Sequence, residues 1–79
     1  MKVSVSLYAS LAARLPKGCS GNVCTLDLRE GTSIRELLDV LNIEHDEPKI
    51  MFRNGVHARL EDILEDGDRF AVFPPIAGG

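Results

Sequence analysis

The sequence predicts an α+β fold in which one amphipathic helix covers one face of a mixed sheet. Three observations predict it. Two early segments alternate apolar and polar residues with a period of two, the signature of half-buried strands. A later segment repeats its apolar residues every three to four positions, as a helix does. An Asn-Gly pair then separates two short runs, which marks a tight hairpin. A single helix over a single sheet is a two-layer solution.

Residues 2–8 open the chain as a strand, with Val3, Val5 and Leu7 facing one way and Lys2, Ser4 and Ser6 the other. In residues 10–15, Leu11 and Leu15 stand four apart behind Ser10, a possible cap, and Pro16 stops the run, which predicts a turn or two of helix. Residues 17–22 (KGCSGN) are a loop by composition. Alternation resumes in residues 23–29, with Cys24, Leu26 and Leu28 on one face and Thr25 and Asp27 on the other. This second strand is expected to pair antiparallel with the first.

Ile34, Leu37, Leu38 and Leu41 then form the helical stripe. Thr32 or Ser33 is its N-cap, Ser33 with Glu36 fits a capping box, and Asn42 is a suitable stop. An acidic loop over residues 44–48 leads into a strand at residues 49–53. Asn54-Gly55 is the hairpin turn, because a type I′ turn needs positive φ at both central residues. Val56 and His57 start the return strand, and the spacing of Leu60, Ile63 and Leu64 predicts a short helical turn. Residues 65–68 form a tight turn before the last strand at residues 69–73, where Phe70 and Val72 share one face and Ala71 and Phe73 the other. The first and last strands are the most apolar and are expected side by side at the sheet centre. That arrangement is a β-grasp, the ubiquitin-like architecture, with four to five strands against one main helix. It occupies residues 1–74 and leaves residues 75–79 as a flexible tail.

Composition narrows the function. At 79 residues, 44% hydrophobic and 27% charged, the chain has room for one small domain and too little for an elaborate catalytic cleft. No apolar stretch approaches the ~20 residues that span a bilayer, and no exported-protein leader is visible. A cytoplasmic protein that contacts no membrane is expected. The net charge of −3 and scattered bases argue against nucleic acid as a partner. Eight of the twelve acids fall between Glu44 and Asp68, either as a solvated face or as a surface that steers a basic protein partner.

Cys19 and Cys24 stand five apart, with His45 and His57 as the two histidines. In a cytoplasmic chain a structural disulfide is not expected. The four lack the paired short spacings of a zinc site, so no metal is expected and the thiols read as buried or idle. The histidines read as surface residues, and no nucleophilic triad stands out.

The end of the chain carries the functional signal: Phe73-Pro74-Pro75-Ile76-Ala77-Gly78-Gly79. Pro74 and Pro75 lack backbone donors and stiffen the exit from the sheet. The five residues from Pro75 to Gly79 can extend about 16 Å at ~3.3 Å each, enough to thread a narrow channel in a partner. Gly78 and Gly79 let the backbone approach closely. Past them the sole reactive group is the α-carboxylate, ionised at pH 7 and a poor electrophile. Acyl chemistry requires its activation, most simply as an acyl-adenylate from ATP. No glycine-rich phosphate loop is present in this sequence, so another protein must bind the ATP. The chain then reads as a protein substrate with no catalytic activity expected alone, one that binds no cofactor itself.

With Lys2-Val3 in the opening strand, Asp66-Gly67-Asp68 before the last one, and the tail from Phe73 to Gly79, the chain resembles the MoaD/ThiS family of ubiquitin-like sulfur carriers. That family includes the small subunit of molybdopterin synthase and the thiamine sulfur carrier. The Phe-Pro-Pro step is more similar to the molybdopterin branch. The first strand, with Ser4, Ser6 and only Tyr8, departs from the aromatic-rich strand usual there, and Cys19 matches no family role. The resemblance implies that an E1-like adenylating enzyme activates Gly79, that a sulfur donor converts the adenylate to a thiocarboxylate, and that this tail enters the large subunit of molybdopterin synthase. There its sulfur would help build the dithiolene of the molybdenum or tungsten cofactor. Phe73, Pro74, Pro75, Ile76 and Ala77 would contact the partner, and Gly78 would precede the reactive Gly79. A thiocarboxylate is a usable nucleophile at neutral pH, by analogy with thiols of lowered pKa. Thiamine or another thiolation pathway, or a ubiquitin-like modifier that forms isopeptides, are the alternative roles; a binding module with no terminal chemistry is the remaining one.

Overall fold

The computed structural model describes residues 1–19 and 21–75. Five strands form one sheet in the order β2-β1-β5-β3-β4. These are β1 (Lys2–Leu7), β2 (Val23–Asp27), β3 (Ile50–Arg53), β4 (Val56–His57) and β5 (Arg69–Phe73), with a 3₁₀ segment at Ala9–Arg14 and one α-helix, α1, at Ile34–Val40. The first and last strands are central neighbours and run parallel, with Val5 opposite Phe70 and Leu7 opposite Val72. The flanking pairs, β1 with β2 and β3 with β5, are antiparallel. This is the expected β-grasp.

The period-two pattern sorts the two faces of the sheet. Val3, Val5 and Leu7 of β1, with Phe70 and Val72 of β5, are buried against Ile34, Leu37, Leu38 and Leu41 of the helical segment. Removing these apolar groups from water is the main stabilising term, about 1.5–3 kcal/mol for each large side chain. Helix α1 starts where the capping box predicts. The Ser33 hydroxyl accepts from the Glu36 amide (3.1 Å), and the Glu36 carboxylate accepts from the Ser33 amide (3.0 Å). Asn42 follows the Leu41 C-cap at φ +59°, the left-handed conformation that ends a helix. The hairpin turn between β3 and β4 likewise has positive φ at both central residues, Asn54 at +52° and Gly55 at +81°.

Three expectations are corrected. The segment after β1 is a 3₁₀ helix preceded by Tyr8, and no side chain caps it, so Ser10 is not the cap. Leu60, Ile63 and Leu64 do not form a helical turn. The Leu60 and Asp62 carbonyls accept from the Arg35 and Ile34 amides at the start of α1, and the Leu64 amide donates to the Thr32 carbonyl. Bonding to the open end of α1 satisfies donors that a helix leaves unpaired, which wins over the local helical spacing. Ile63 consequently lies 51% exposed while Leu64 is buried.

The third correction concerns the cysteines. Cys19 and Cys24 are joined by a disulfide, with Cα atoms 5.3 Å apart. Cys24 sits opposite Val5 on the helix-covered face of the sheet. The loop returns toward it with positive φ at Gly18 (+94°) and Gly21 (+62°), a conformation side chains resist. Composition and compartment gave no view of that return path.

Candidate functional site

The tail leaves the sheet from its centre, because β5 lies between β1 and β3. Alternation places Phe73 on the face away from α1, where it is half-buried. Its neighbours there are fixed by register: Ile50 is opposite Phe73, Phe52 opposite Ala71, and His57 opposite Phe52. The Tyr8 and Phe73 rings stack, with centroids 4.4 Å apart and planes 1° from parallel. Phe52 meets Phe73 edge-on at 5.9 Å and contacts the His57 ring at 4.6 Å. Offset and edge-on contacts of this kind contribute about 0.5–1.5 kcal/mol each beyond area burial.

A shallow depression of about 460 Å³ opens on this face between Ser6, Phe52, Gly55, Arg69, Ala71 and Phe73. The root of the tail therefore stands on an aromatic platform bordered by the basic Arg69. Pro74 is half-buried and Pro75 exposed as the chain leaves the sheet. Phe73, Pro74 and Pro75 are thus together at one end of β5. Ile76, Ala77, Gly78 and Gly79 lie outside the described residues. The sequence placed Phe70 and Phe73 on opposite faces and left open which of them meets the helix, and it missed Tyr8, Phe52 and His57 as companions of Phe73. Strand alternation gives the face of each residue, whereas adjacency across the sheet needs the register.

The turn before β5 is held from the opposite side. Asp68, only 6% exposed, accepts from Arg53 Nε (2.7 Å), Asn54 Nδ2 (2.9 Å) and the Glu65 amide (2.8 Å). Asn54 Oδ1 in turn accepts from the Arg69 amide (2.8 Å), tying the hairpin turn to the start of β5. Burial pushes the Asp68 carboxyl up. The hydrogen bonds from Asn54, Glu65 and Arg53, with the Arg53 charge, outweigh burial and bring its pKa below the ordinary carboxylate value. Arg53 also reaches Glu65 at 3.7 Å.

Much of the acidic stretch is spent locally. Glu47 pairs with Arg14 (2.7 Å) and Glu61 with Arg35 (3.0 Å), while the Asp62 carboxylate accepts from the Arg59 amide (3.0 Å). His45, half-buried rather than on the open surface, lies between Asp39 (2.7 Å) and Arg35 (3.3 Å). His57 is exposed. Among the described residues no group of three or more His, Cys, Asp or Glu side chains is arranged to hold a metal ion. Among them, too, no helix is long and apolar enough to cross a membrane.

The profile of the ThiS family matches residues 7–79, nearly the whole chain. This chain belongs to the ThiS family. Solved structures agree on the fold. SAMP1 from Haloferax volcanii superposes with a TM-score of 0.75 at 24% identity, over 100% of both chains. A putative molybdopterin converting factor subunit 1 from Pyrococcus furiosus gives 0.71 at 24% identity, over 95% of this chain and 98% of that one. A chain in the Helicobacter pylori complex of subunits 1 and 2 of molybdopterin-converting factor gives 0.64 at 19% identity, over 100% of both. A search of curated proteins finds no match. The ThiS-family member described here thus shares the β-grasp fold of these structures, with its last strand at the sheet centre and an aromatic platform at the root of the tail.

Proposed function

We propose that this ThiS-family chain is a sulfur carrier for molybdopterin synthesis, with its chemistry on the Gly79 carboxylate. An E1-like partner binds ATP, and the carboxylate attacks the α-phosphate so that pyrophosphate leaves. Sulfide-level sulfur from a donor protein then displaces AMP and leaves a thiocarboxylate. The tail enters the large subunit of molybdopterin synthase, which supplies the acid and base groups, and the thiocarboxylate sulfur attacks the pterin precursor. This chain contributes the handle, the reach and the reactive atom.

The observation that carries the reading is the family match running through Gly79, on a tail rooted at Phe73 and Pro74. The Phe-Pro-Pro step and the likeness to two molybdopterin-converting-factor subunits favour the molybdopterin branch. The apolar face of Tyr8, Phe52 and Phe73 is the surface offered to the large subunit. Extending the chain by one residue past Gly79 tests the terminal chemistry. The variant is expected to keep its fold by circular dichroism and to lose adenylation by the activating enzyme. Full adenylation of that variant would exclude the terminal carboxylate as the reacting group.

A second reading, a ubiquitin-like modifier, is favoured by the likeness to SAMP1, a small archaeal modifier protein. It uses the same activated Gly79 but ends in an isopeptide on a substrate lysine.

A further inference from the structure

The Cys19–Cys24 pair carries chemistry that the tail does not use. Cys24 is held by the β1–β2 ladder opposite Val5. Cys19 lies three residues before Asn22, which is fastened to the end of β1. The Leu7 amide donates to the Asn22 carbonyl (2.9 Å), and Asn22 Nδ2 donates to the Leu7 carbonyl (2.9 Å). The two Cα atoms stand 5.3 Å apart, inside the window of about 4.4–6.8 Å that a bridge requires. The ladder holds Cys24 and Asn22 anchors the end of the loop, and the bridge adds the tie at Cys19. Both cysteines are half-buried, so each keeps some surface in contact with solvent.

The same anchor lies next to the root of the tail. Leu7 is opposite Val72, the Tyr8 amide donates to the Val72 carbonyl (3.2 Å), and the Tyr8 ring stacks on Phe73. Strands β1 and β5 are parallel, which brings the bridged loop and the start of the tail to one end of the sheet.

We propose that Cys19–Cys24 is a reversible thiol–disulfide exchange site for small thiols of the glutathione class, whose oxidation state sets the order of the adjoining loop and of the Leu7–Tyr8 step. A small-molecule thiolate attacks one sulfur, the S–S bond breaks, and the other sulfur leaves as a thiolate that takes up a proton. A second small thiol attacks the mixed disulfide and releases the oxidised small-molecule disulfide. Two electrons pass from two thiols to the pair, and both cysteines end as thiols. The bridge closes a loop of only a few residues, so its opening frees the loop while the sheet persists. This inference is independent of the sulfur-carrier reading.

The test is a titration of the full chain with reduced and oxidised glutathione, read by intact mass after thiol alkylation and by amide hydrogen exchange. Excess reduced glutathione is expected to yield a folded protein that takes up two alkyl groups, and oxidised glutathione to restore the bridge. In the reduced state the Leu7 and Tyr8 amides are expected to exchange at least tenfold faster, with Val5 unchanged. Cys19→Ser is expected to reproduce the reduced pattern whatever glutathione is added. A bridge that opens only in denaturant, a reduced protein that unfolds, or exchange at Leu7 and Tyr8 indifferent to reduction would each overturn the proposal.

Discussion

The Tyr8 ring lies parallel to the Phe73 ring at a centroid distance of 4.4 Å, one residue past the end of β1 and at the last residue of β5. The stack joins the two central strands at the point where the tail begins. It leaves Phe73 outside the buried cluster that holds Phe70 and Val72. One aromatic of β5 therefore serves the core, and the other serves the surface around the tail.

Phe73→Ala is expected to cost about 1–3 kcal/mol of folding stability, because it removes the contacts with Tyr8 and Phe52 at about 0.5–1.5 kcal/mol each. Phe70→Ala is expected to cost about 3–5 kcal/mol, as for a buried aromatic. Denaturant unfolding of the two variants checks the contrast. Binding to the synthase large subunit is expected to fall at least tenfold in Phe73→Ala. A large loss of stability with binding intact would remove Phe73 from the interface.

Asp68 supplies the pH dependence. Its carboxyl lies below its unfolded value, so its stabilising contribution is complete above about pH 4, the ordinary aspartate pKa. That contribution is lost as the pH falls through the lower folded value. Asp68→Ala is expected to cost about 2–3 kcal/mol at pH 7, because Arg53, Asn54 and the Glu65 amide lose a charged acceptor. Unfolding midpoints of wild type and variant, followed from pH 7 into acid, are expected to converge below pH 4. A constant difference across that range would show that the Asp68 charge contributes nothing.

Ser33→Ala removes one half of the capping box and is expected to cost about 1 kcal/mol. Thermal unfolding measures it, and Ser33→Asp is expected to recover most of the loss. Equal destabilisation by both substitutions would indicate that the hydroxyl acts through packing and not as an acceptor.

Most of the fold was legible because its signals are local. Val3, Val5 and Leu7 declared their face by alternation, Ser33 and Glu36 the start of the helix, and Asn54-Gly55 the hairpin. The failures are places where tertiary bonds overrode local pattern. Leu60, Ile63 and Leu64 have helical spacing, yet the carbonyls around them serve the amides at the start of α1. The Cys19–Cys24 bridge depends on a loop path through Gly18 and Gly21 that no spacing rule supplies. For the site, the tail motif named Phe73 and the prolines. The platform of Tyr8, Phe52 and His57 emerges only from the pairing of β1, β3 and β4 around β5, since those residues are far apart in sequence.

Intact-protein mass spectrometry of the chain purified from its native cells, in sulfur-replete growth with the activating enzyme present, tests the central claim most directly. The account predicts a population in which one oxygen of the Gly79 carboxylate is replaced by sulfur. Branched conjugates through Gly79, with no sulfur-substituted form, would replace the carrier by the modifier. A wholly unmodified terminus would contradict both.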